Sequence, residues 1–210
     1  MWKGNIMRII RSVSLCVVAL MLAFVIGRLS AQDVNPSCKM CPTTYVSADE
    51  LQAYVKRAMA TGAVDQQVRS LDIGKSNVQV AVVHRGKLDK PGARSVAEHD
   101  LVSEVYYILS GGGTHLSGPD LVEKVRRPAD NNAVRLLNGP GNNAASIRNA
   151  ATHQLKAGDV FVIPAGTGHQ FTRIDDHITY LMVRVDPDKI VPLMDEAASK
   201  AYLAGSGREE

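Results

Sequence analysis

Residues Gly158–Arg173, with the sequence GDVFVIPAGTGHQFTR, decide the fold of this chain. A short apolar run ends at Pro164, and Gly166 and Gly168 follow, which is typical of a turn. His169 is the first residue beyond the turn whose side chain can bind a metal or transfer a proton. The stretch therefore predicts a strand, a tight turn and a second strand that presents His169.

The first 31 residues have the pattern of a targeting segment. They contain four basic side chains and no acidic one, and residues 12–27 carry no charge. This apolar run is shorter than the roughly 20 residues of a membrane-spanning helix. A basic start, an apolar run and the small residue Ala31 predict a signal peptide cleaved after Ala31. The mature protein would then be periplasmic or secreted, without a stable membrane anchor; an uncleaved anchor is the alternative.

The charge of the remaining chain gives no electrostatic argument for binding nucleic acid. Four of the 24 basic residues belong to the leader, so 20 remain against 21 acidic residues, a formal charge of −1. The basic cluster Lys124, Arg126 and Arg127 is small, and a solvated loop explains it.

Cys38 and Cys41 lie just after the predicted cleavage site, at the spacing Cys-x-x-Cys. Outside the cytosol this spacing predicts a small disulfide loop. Haem attachment would need a histidine after the second cysteine, but Pro42 stands there. A zinc site would need two further ligands.

The segment between the leader and the main domain, residues 32–64, is predicted to hold a linker with the cysteine pair and one amphipathic helix. The helix begins after Ser47, which forms a capping box with Glu50, and it extends over about residues 48–61. A second helix is predicted over Lys189–Leu203, within a C-terminal region of residues 188–210 that ends in a frayed tail.

Residues 65–187 are predicted to form one all-β antiparallel domain, a sandwich or barrel. Short segments rich in β-branched and aromatic residues alternate there with Gly, Pro, Asn and Asp. The predicted strands are Val68–Ile73, Asn77–Arg85, Glu104–Ser110, Val160–Ile163, His169–Ile174 and His177–Val185. The irregular stretch Ser117–Ala150 is interpreted as one strand plus a long loop or lid, and Gly111–Gly113 as a tight turn.

The alternation of side chains along a strand indicates which candidates share a face. His169 and Arg173 lie an even number of residues apart, as do Glu104 and Tyr106. His99 lies five residues before Glu104, so the two can point the same way only if the strand is interrupted between them.

These residues resemble the two sequence motifs of the cupin superfamily, small metal-binding jelly-roll barrels. The second motif, G-x5-P-x-G-x2-H-x3-N, is matched at every position except the last, where Arg173 replaces Asn. The first motif, G-x5-H-x-H-x3,4-E-x6-G, is matched by His99, Glu104 and Gly111. Ala97 occupies its first histidine position, and Gly92 is one residue out of step with its opening glycine. The resemblance covers roughly residues 65 to 185.

The resemblance implies a cupin-like jelly roll with one divalent metal ion held by His99, Glu104 and His169. Two imidazoles and one carboxylate suit Fe(II), Mn(II), Zn(II) or Ni(II) and leave open positions for water, oxygen or substrate. The lost ligand at Ala97 should weaken the affinity for metal. The alternative is a metal-free pocket in which both histidines are only hydrogen-bonded.

Three neighbours are candidates for roles beside the metal. Arg173 could bind a substrate carboxylate or form a structural ion pair. His84 follows the apolar positions of its strand and could replace the lost ligand, or it could be a histidine at the edge of the core. Tyr106 could donate a proton or hydrogen bond, or simply pack in the core. The remaining histidines, His115, His153 and His177, are interpreted as surface or structural residues.

The function that follows is a metal-dependent enzyme that acts on a small, anionic molecule. The resemblance is compatible with oxygenase and isomerase chemistry and does not choose between them. The first alternative is a non-enzymatic module that binds a small ligand such as a sugar acid. The second is an interaction protein whose barrel is only a scaffold. A homodimer through exposed barrel edges is expected by analogy.

Overall fold

The structure, a computed structural model, describes residues 16–22 and 35–205. The chain divides into a first unit, residues 1–39, and a second unit, residues 40–210. In the first unit residues 16–22 are helical with exposed side chains. Within the described ranges no helix has the length and apolar character needed to cross a membrane. Apart from residues 16–22, the predicted signal peptide, residues 1–31, lies outside the described residues.

The second unit is built mainly from antiparallel strands. The described elements, in chain order, are the helix α1 (Ala48–Thr61), the strands β1 (Asp65–Asp72), β2 (Asn77–Arg85), β3 (Val96–His99), β4 (Ser103–Gly118), β5 (Leu121–Val122) and β6 (Val125–Arg126), a π-helix (Ala133–Asn138), the strands β7 (Gly141–Ala144), β8 (Ser146–Ile147), β9 (Ala151–Lys156), β10 (Val160–Ile163), β11 (Gly168–Arg173) and β12 (Ile178–Asp186), and the helix α2 (Glu196–Leu203).

The large sheet has the strand order β1-β2-β12-β4-β11-β3-β7-β6, and β9 and β10 also pair with β4. All of these pairings are antiparallel. The first half of β4 pairs with β10 and β12, and its second half pairs with β9 and β11. The predicted fold class, an antiparallel jelly roll with an N-terminal and a C-terminal helix, is confirmed.

Gly111 marks the bend in β4 where the strand passes from one set of partners to the other. Its φ of 70° lies in the left-handed region that favours glycine. A Cβ atom there would lie 1.9 Å from the carbonyl oxygen of His177, so a larger residue clashes with backbone. The prediction of a tight turn at Gly111–Gly113 is wrong, because this bend lets β4 continue through the glycines to Gly118.

Replacing Gly111 by alanine should lower the free energy of unfolding by about 2–5 kcal/mol, because strained backbone and steric overlap act together. Gly86→Ala is the matched control, since no atom lies within 4 Å of its added Cβ and its φ is not positive. Denaturant unfolding of the two variants measures the difference. Equal stability of both variants would show that β4 bends without needing a glycine.

Strand β2 separates two clusters of buried side chains. Ala81 and Val83 face the barrel interior, where they join a cluster that includes Tyr106 and Tyr180. Val82 faces the opposite way and packs with Tyr54 of α1. The alternation of β2 therefore divides the core into an interior cluster and an outer layer covered by the helices.

The helix α1 has the predicted bounds and the predicted start. Ser47 Oγ accepts a hydrogen bond from the backbone N–H of Glu50 (3.1 Å), and Gly62 ends the helix with a φ of 75°. Cys38 and Cys41, which precede it, are both disulfide-bonded, as their spacing predicts.

The C-terminal helix is shorter than predicted. Its N-cap is Asp195, which accepts from the backbone N–H of Ala198 (2.8 Å). The preceding segment is not helical because Pro192 cannot donate a backbone hydrogen bond and Met194 pairs with Ser70 of β1. The expectation of one strand plus a loop over Ser117–Ala150 is also too simple, since four short strands and the π-helix lie there.

Candidate metal-binding site

Three buried side chains converge at one end of the strands that carry them. His99 ends β3, Glu104 begins β4 and His169 lies in β11. His99 Nε2 lies 3.4 Å from Glu104 Oε1, and His169 Nε2 lies 3.5 Å from Glu104 Oε2. Their potential ligand atoms all lie within 4.8 Å of one another. The strand is interrupted between His99 and Glu104, as the odd spacing requires, so the structure brings the predicted ligand set together.

The protonation state of His169 is set by a backbone carbonyl. Its Nδ1 lies 3.1 Å from the carbonyl oxygen of Thr167, so Nδ1 carries the proton and donates. The other nitrogen, Nε2, is then a bare acceptor that faces the carboxylate of Glu104. Burial lowers the pKa of His169 to about 4, although Glu104 acts to raise it. At neutral pH two electron-rich atoms therefore face each other, an arrangement that a cation between them would stabilise.

Glu104 is ionised and held from several sides. Burial acts to raise its pKa, but His99, His169 and Arg184 more than offset this effect and hold the pKa well below its usual value. Arg184 stays charged when both imidazoles are neutral, and its Nε lies 3.3 Å from Glu104 Oε1. Tyr106 Oη donates to Glu104 Oε2 (2.8 Å). These contacts fix the orientation of the carboxylate in the barrel.

Tyr106 is suited to donate and not to act as a base. Burial, followed by the charge of Glu104, raises the pKa of its phenol well above the usual 10. The side chain is 3% exposed and remains protonated at any physiological pH.

His99 has different neighbours from His169. Arg127 Nη1 lies 3.3 Å from His99 Nδ1, and Asn138 Nδ2 lies 3.2 Å from His99 Nε2. A guanidinium and an amide nitrogen can both only donate, so the Arg127 contact favours a proton on Nε2, whereas the Asn138 contact favours a bare Nε2 with the proton on Nδ1. Metal binding at Nε2 requires the second form, with Arg127 shifted away from Nδ1 and Asn138 shifted away from Nε2.

Two adjoining cavities lie beside the cluster. The first, of about 210 Å³, contains His99, Glu104 and Asn138 among its lining residues. The second, of about 170 Å³, extends to Phe171 and Leu88. Five side chains line both cavities: Arg85, Ala97, Tyr106, His169 and Tyr180. Ala97 pairs in register with His169, so the small side chain at the first histidine position leaves space next to the cluster.

Arg173 was expected to face the barrel interior, and the structure corrects this. The register of β11 against β4 shifts between Phe171 and Arg173, so a bulge reverses the alternation of side chains there. The side chain of Arg173 is 67% exposed, and its Nε donates to Asp175 Oδ1 (2.6 Å). It takes no part in the cluster.

His84 also lies outside the barrel interior. It shares the outward face of β2, and its Nδ1 lies 2.8 Å from Thr179 Oγ1. Its ring stacks on that of His177, with centroids 5.9 Å apart. His84 therefore cannot replace the lost ligand, because the apolar face that it continues packs against α1. The inward position at the end of β2 belongs to Arg85.

Four residues near the cluster were missed in the sequence: Arg85, Arg127, Arg184 and His115. The alternation of β2 and β12 was a usable signal for Arg85 and Arg184. The sequence predicts a solvated loop at Arg127, but its side chain donates to the backbone carbonyls of Glu98 (2.9 Å) and Asn142 (3.0 Å). His115 was interpreted as surface or structural and is fully buried in the barrel. Because β4 bends at Gly111, simple alternation along the strand does not predict that the His115 side chain points inward.

The comparisons with known proteins agree with this architecture. The family model described as AraC-like ligand binding domain matches residues 148–208. No curated protein matches the sequence. The strand order and this partial family match confirm the predicted resemblance to the cupin superfamily in fold.

The solved structures that match the chain include three bacterial proteins. A protein from Bacillus halodurans is 13% identical, covers 78% of this chain and 98% of its own length, and has a TM-score of 0.39. A cupin protein from Bacteroides fragilis is 17% identical over 75% and 93%, with a TM-score of 0.36. An uncharacterized conserved protein with a double-stranded β-helix domain from Klebsiella pneumoniae is 16% identical over 73% and 99%, with a TM-score of 0.39.

Proposed function

We propose that this cupin-fold chain holds one divalent metal ion between His99, Glu104 and His169 and binds a small anionic molecule beside it. The chain would act as a metal-dependent enzyme of the oxygenase or isomerase type. Its location would be periplasmic or secreted, in keeping with the leader pattern and the disulfide-bonded cysteines. A homodimer remains a prediction.

The observation that carries the proposal is the contact between His169 and Glu104. The carbonyl oxygen of Thr167 leaves His169 Nε2 without a proton, 3.5 Å from a carboxylate oxygen that is also without one. Both groups are more than nine-tenths buried. A divalent cation is the natural partner for two such acceptors, and histidine and carboxylate ligands suit Fe, Mn, Zn or Ni.

The donor set fits such an ion when the His99 proton lies on Nδ1 and the Arg127 and Asn138 side chains have moved off the imidazole. Among the described residues no other His, Cys, Asp or Glu joins the cluster, so an ion would keep positions for water and substrate. A bound ion of this kind would supply Lewis-acid polarisation of a substrate oxygen. Tyr106 would keep Glu104 oriented through the hydrogen bond that its hydroxyl donates to Oε2.

The test is elemental analysis of mature protein purified without chelator and without nickel affinity resin. We expect about one metal ion per chain, because a preformed buried ligand set binds stoichiometrically. His169→Ala should weaken metal affinity by more than about 100-fold, beyond the 10–100-fold typical of outer-shell changes.

The matched control is His177→Ala, a histidine that pairs with Asp176 outside the barrel. This variant should keep its metal. Full retention of metal in His169→Ala, with an unchanged unfolding curve, would show that the ligand set is wrong. Loss of metal in both variants would point to a general loss of folding, which circular dichroism detects.

A second candidate function is a metal-free module that binds a small ligand such as a sugar acid. The contact between Arg127 and His99 favours it, because a guanidinium at Nδ1 favours the form of the imidazole that cannot bind metal through Nε2. The family match to an AraC-like ligand binding domain is compatible with it. Ligand binding that survives complete removal of metal by chelator would favour the module over the enzyme.

A further inference from the structure

Arg85 is a cation inside the barrel that lacks an anionic partner. Its Nε lies 3.5 Å from Tyr180 Oη, at the outer limit of a hydrogen bond, and its guanidinium lies 5.8 Å from the centroid of the Phe171 ring. Among the described residues no carboxylate forms an ion pair with it. Its terminal nitrogens are therefore available to a ligand.

Arg85 is half-buried, and two fully buried arginines of the barrel and its outer layer, Arg69 and Arg184, differ from it in this respect. Arg69 makes two hydrogen bonds to the carboxylate of Glu50, at 2.7 and 3.1 Å. Arg184 contacts the carboxylates of both Asp65 and Glu104. A desolvated guanidinium is costly without an anion, and this chain supplies one at each of these positions. Arg85 has no such partner among the described residues, so its charge is open to an anion from outside the chain.

The cavities next to Arg85 indicate the kind of molecule that fits. The wall is largely aromatic and apolar, with Tyr106, Phe171, Tyr180 and Leu88. Its volume of about 170 Å³ is below the roughly 300–1,000 Å³ of typical ligand pockets, so the occupant is small. The space at Ala97 joins this region to the cavity of the histidine–glutamate cluster.

We propose that Arg85 binds the carboxylate of a small organic acid whose apolar part lies against Tyr106, Phe171 and Tyr180. Arginine suits this role because its planar fork binds carboxylates through two parallel hydrogen bonds. The opposite end of the acid faces the cluster across Ala97. Only this last step, contact with a metal-bound position, rests on the proposed function; the carboxylate contact does not require a metal.

The test compares benzoate with benzamide, a neutral molecule of the same shape, by titration calorimetry on the full chain. Benzoate should bind, and benzamide should bind at least about 30-fold more weakly, because it cannot pair with the guanidinium. Acetate and butyrate extend the series to smaller acids. Failure of all three carboxylates to bind, or equal binding of benzamide, overturns the proposal without any variant.

The variants locate the contact. Arg85→Met should weaken benzoate binding by at least about 30-fold, whereas Arg85→Lys should retain part of it. Arg173→Met is the matched control, since that arginine is exposed and pairs with Asp175, and it should bind benzoate like the unaltered protein. Unchanged binding in Arg85→Met would refute the assignment.

Titrations are run on metal-free protein and on protein with added zinc. Benzoate binding that depends on Arg85 in both states supports the carboxylate site even if the metal proposal fails. Metal binding without Arg85-dependent benzoate binding leaves the proposed function standing and refutes the inference.

Discussion

Arg184→Met should lower the free energy of unfolding by about 3–5 kcal/mol, the cost of leaving buried charges without their partner. Arg184 is fully buried in β12, directly opposite Glu104 of β4. Its Nε contacts Glu104, and its Nη2 contacts Asp65. Burial by itself would lower its pKa, but the charges of Asp65 and Glu104 raise the pKa above its usual value, so the cation is permanent. Methionine fills the space but removes the positive charge between two carboxylates.

Chemical denaturation at pH 7 measures this effect. Arg148→Met is the matched control, because Arg148 pairs with Asp120 at the surface and its side chain is 67% exposed. Exposed ion pairs contribute about 0–1 kcal/mol, so the control should change stability little. The Asp65→Asn variant completes a double-mutant cycle, in which Asp65→Asn should cost much less in the Arg184→Met background. A loss below about 1 kcal/mol in Arg184→Met would mean that Glu104 does not depend on Arg184.

The sequence was sufficient to place the main elements and the three clustered side chains, because each depends on local patterns. The strand and turn that present His169 follow from Gly158, Pro164 and Gly166. This prediction does not depend on how the rest of the chain folds. The odd spacing of His99 and Glu104 already required a break between them. These features need only the alternation of a strand and the conformational preferences of glycine and proline.

The errors came from places where a single residue changes the alternation. The bulge before Arg173 turns its side chain outward, and the bend at Gly111 reverses the alternation of β4, so that His115 points inward. The choice between His84 and Arg85 needed different information, namely which face of β2 is covered by α1. Which face is covered depends on contacts between elements that are distant in the sequence, so the residues of β2 alone do not predict it. Arg127 reaches His99 across a chain separation of 28 residues, which no local pattern shows.

His115 is expected to lower the free energy of unfolding at acidic pH. Its ring is fully buried between Phe161 and Phe171, with centroids 4.8 and 4.7 Å away. Neither ring nitrogen has a hydrogen-bond partner within the described part of the chain. Burial, with smaller contributions from neighbouring positive groups, lowers the pKa of His115 to about 3. The imidazole is therefore neutral in the folded state at pH values where the unfolded chain is protonated.

The direction of the pH dependence follows from this difference. Between the ordinary pKa of 6.5 and the folded value of about 3, the unfolded state binds more protons, so the free energy of unfolding rises with pH. The stabilising contribution is present above pH 6.5 and is lost as the pH falls. From pH 7 to pH 4 the loss at this one residue is about 3 kcal/mol. His169, with a pKa of about 4, contributes a loss in the same direction.

His115→Leu should remove its own share of this acid sensitivity. The difference in unfolding free energy between the variant and the unaltered protein should grow by about 3 kcal/mol in favour of the variant as the pH falls from 7 to 4. Urea unfolding of metal-free protein at several pH values measures it. Phe161→Leu is the control for packing, since it alters the same cluster without removing a titrating group, and its effect should be the same at both pH values.

Parallel pH profiles for His115→Leu and the unaltered protein would mean that His115 takes up a proton while the barrel stays folded. The aromatic wall around it would then have to admit water, because a protonated imidazole with no partner on either nitrogen cannot remain dry.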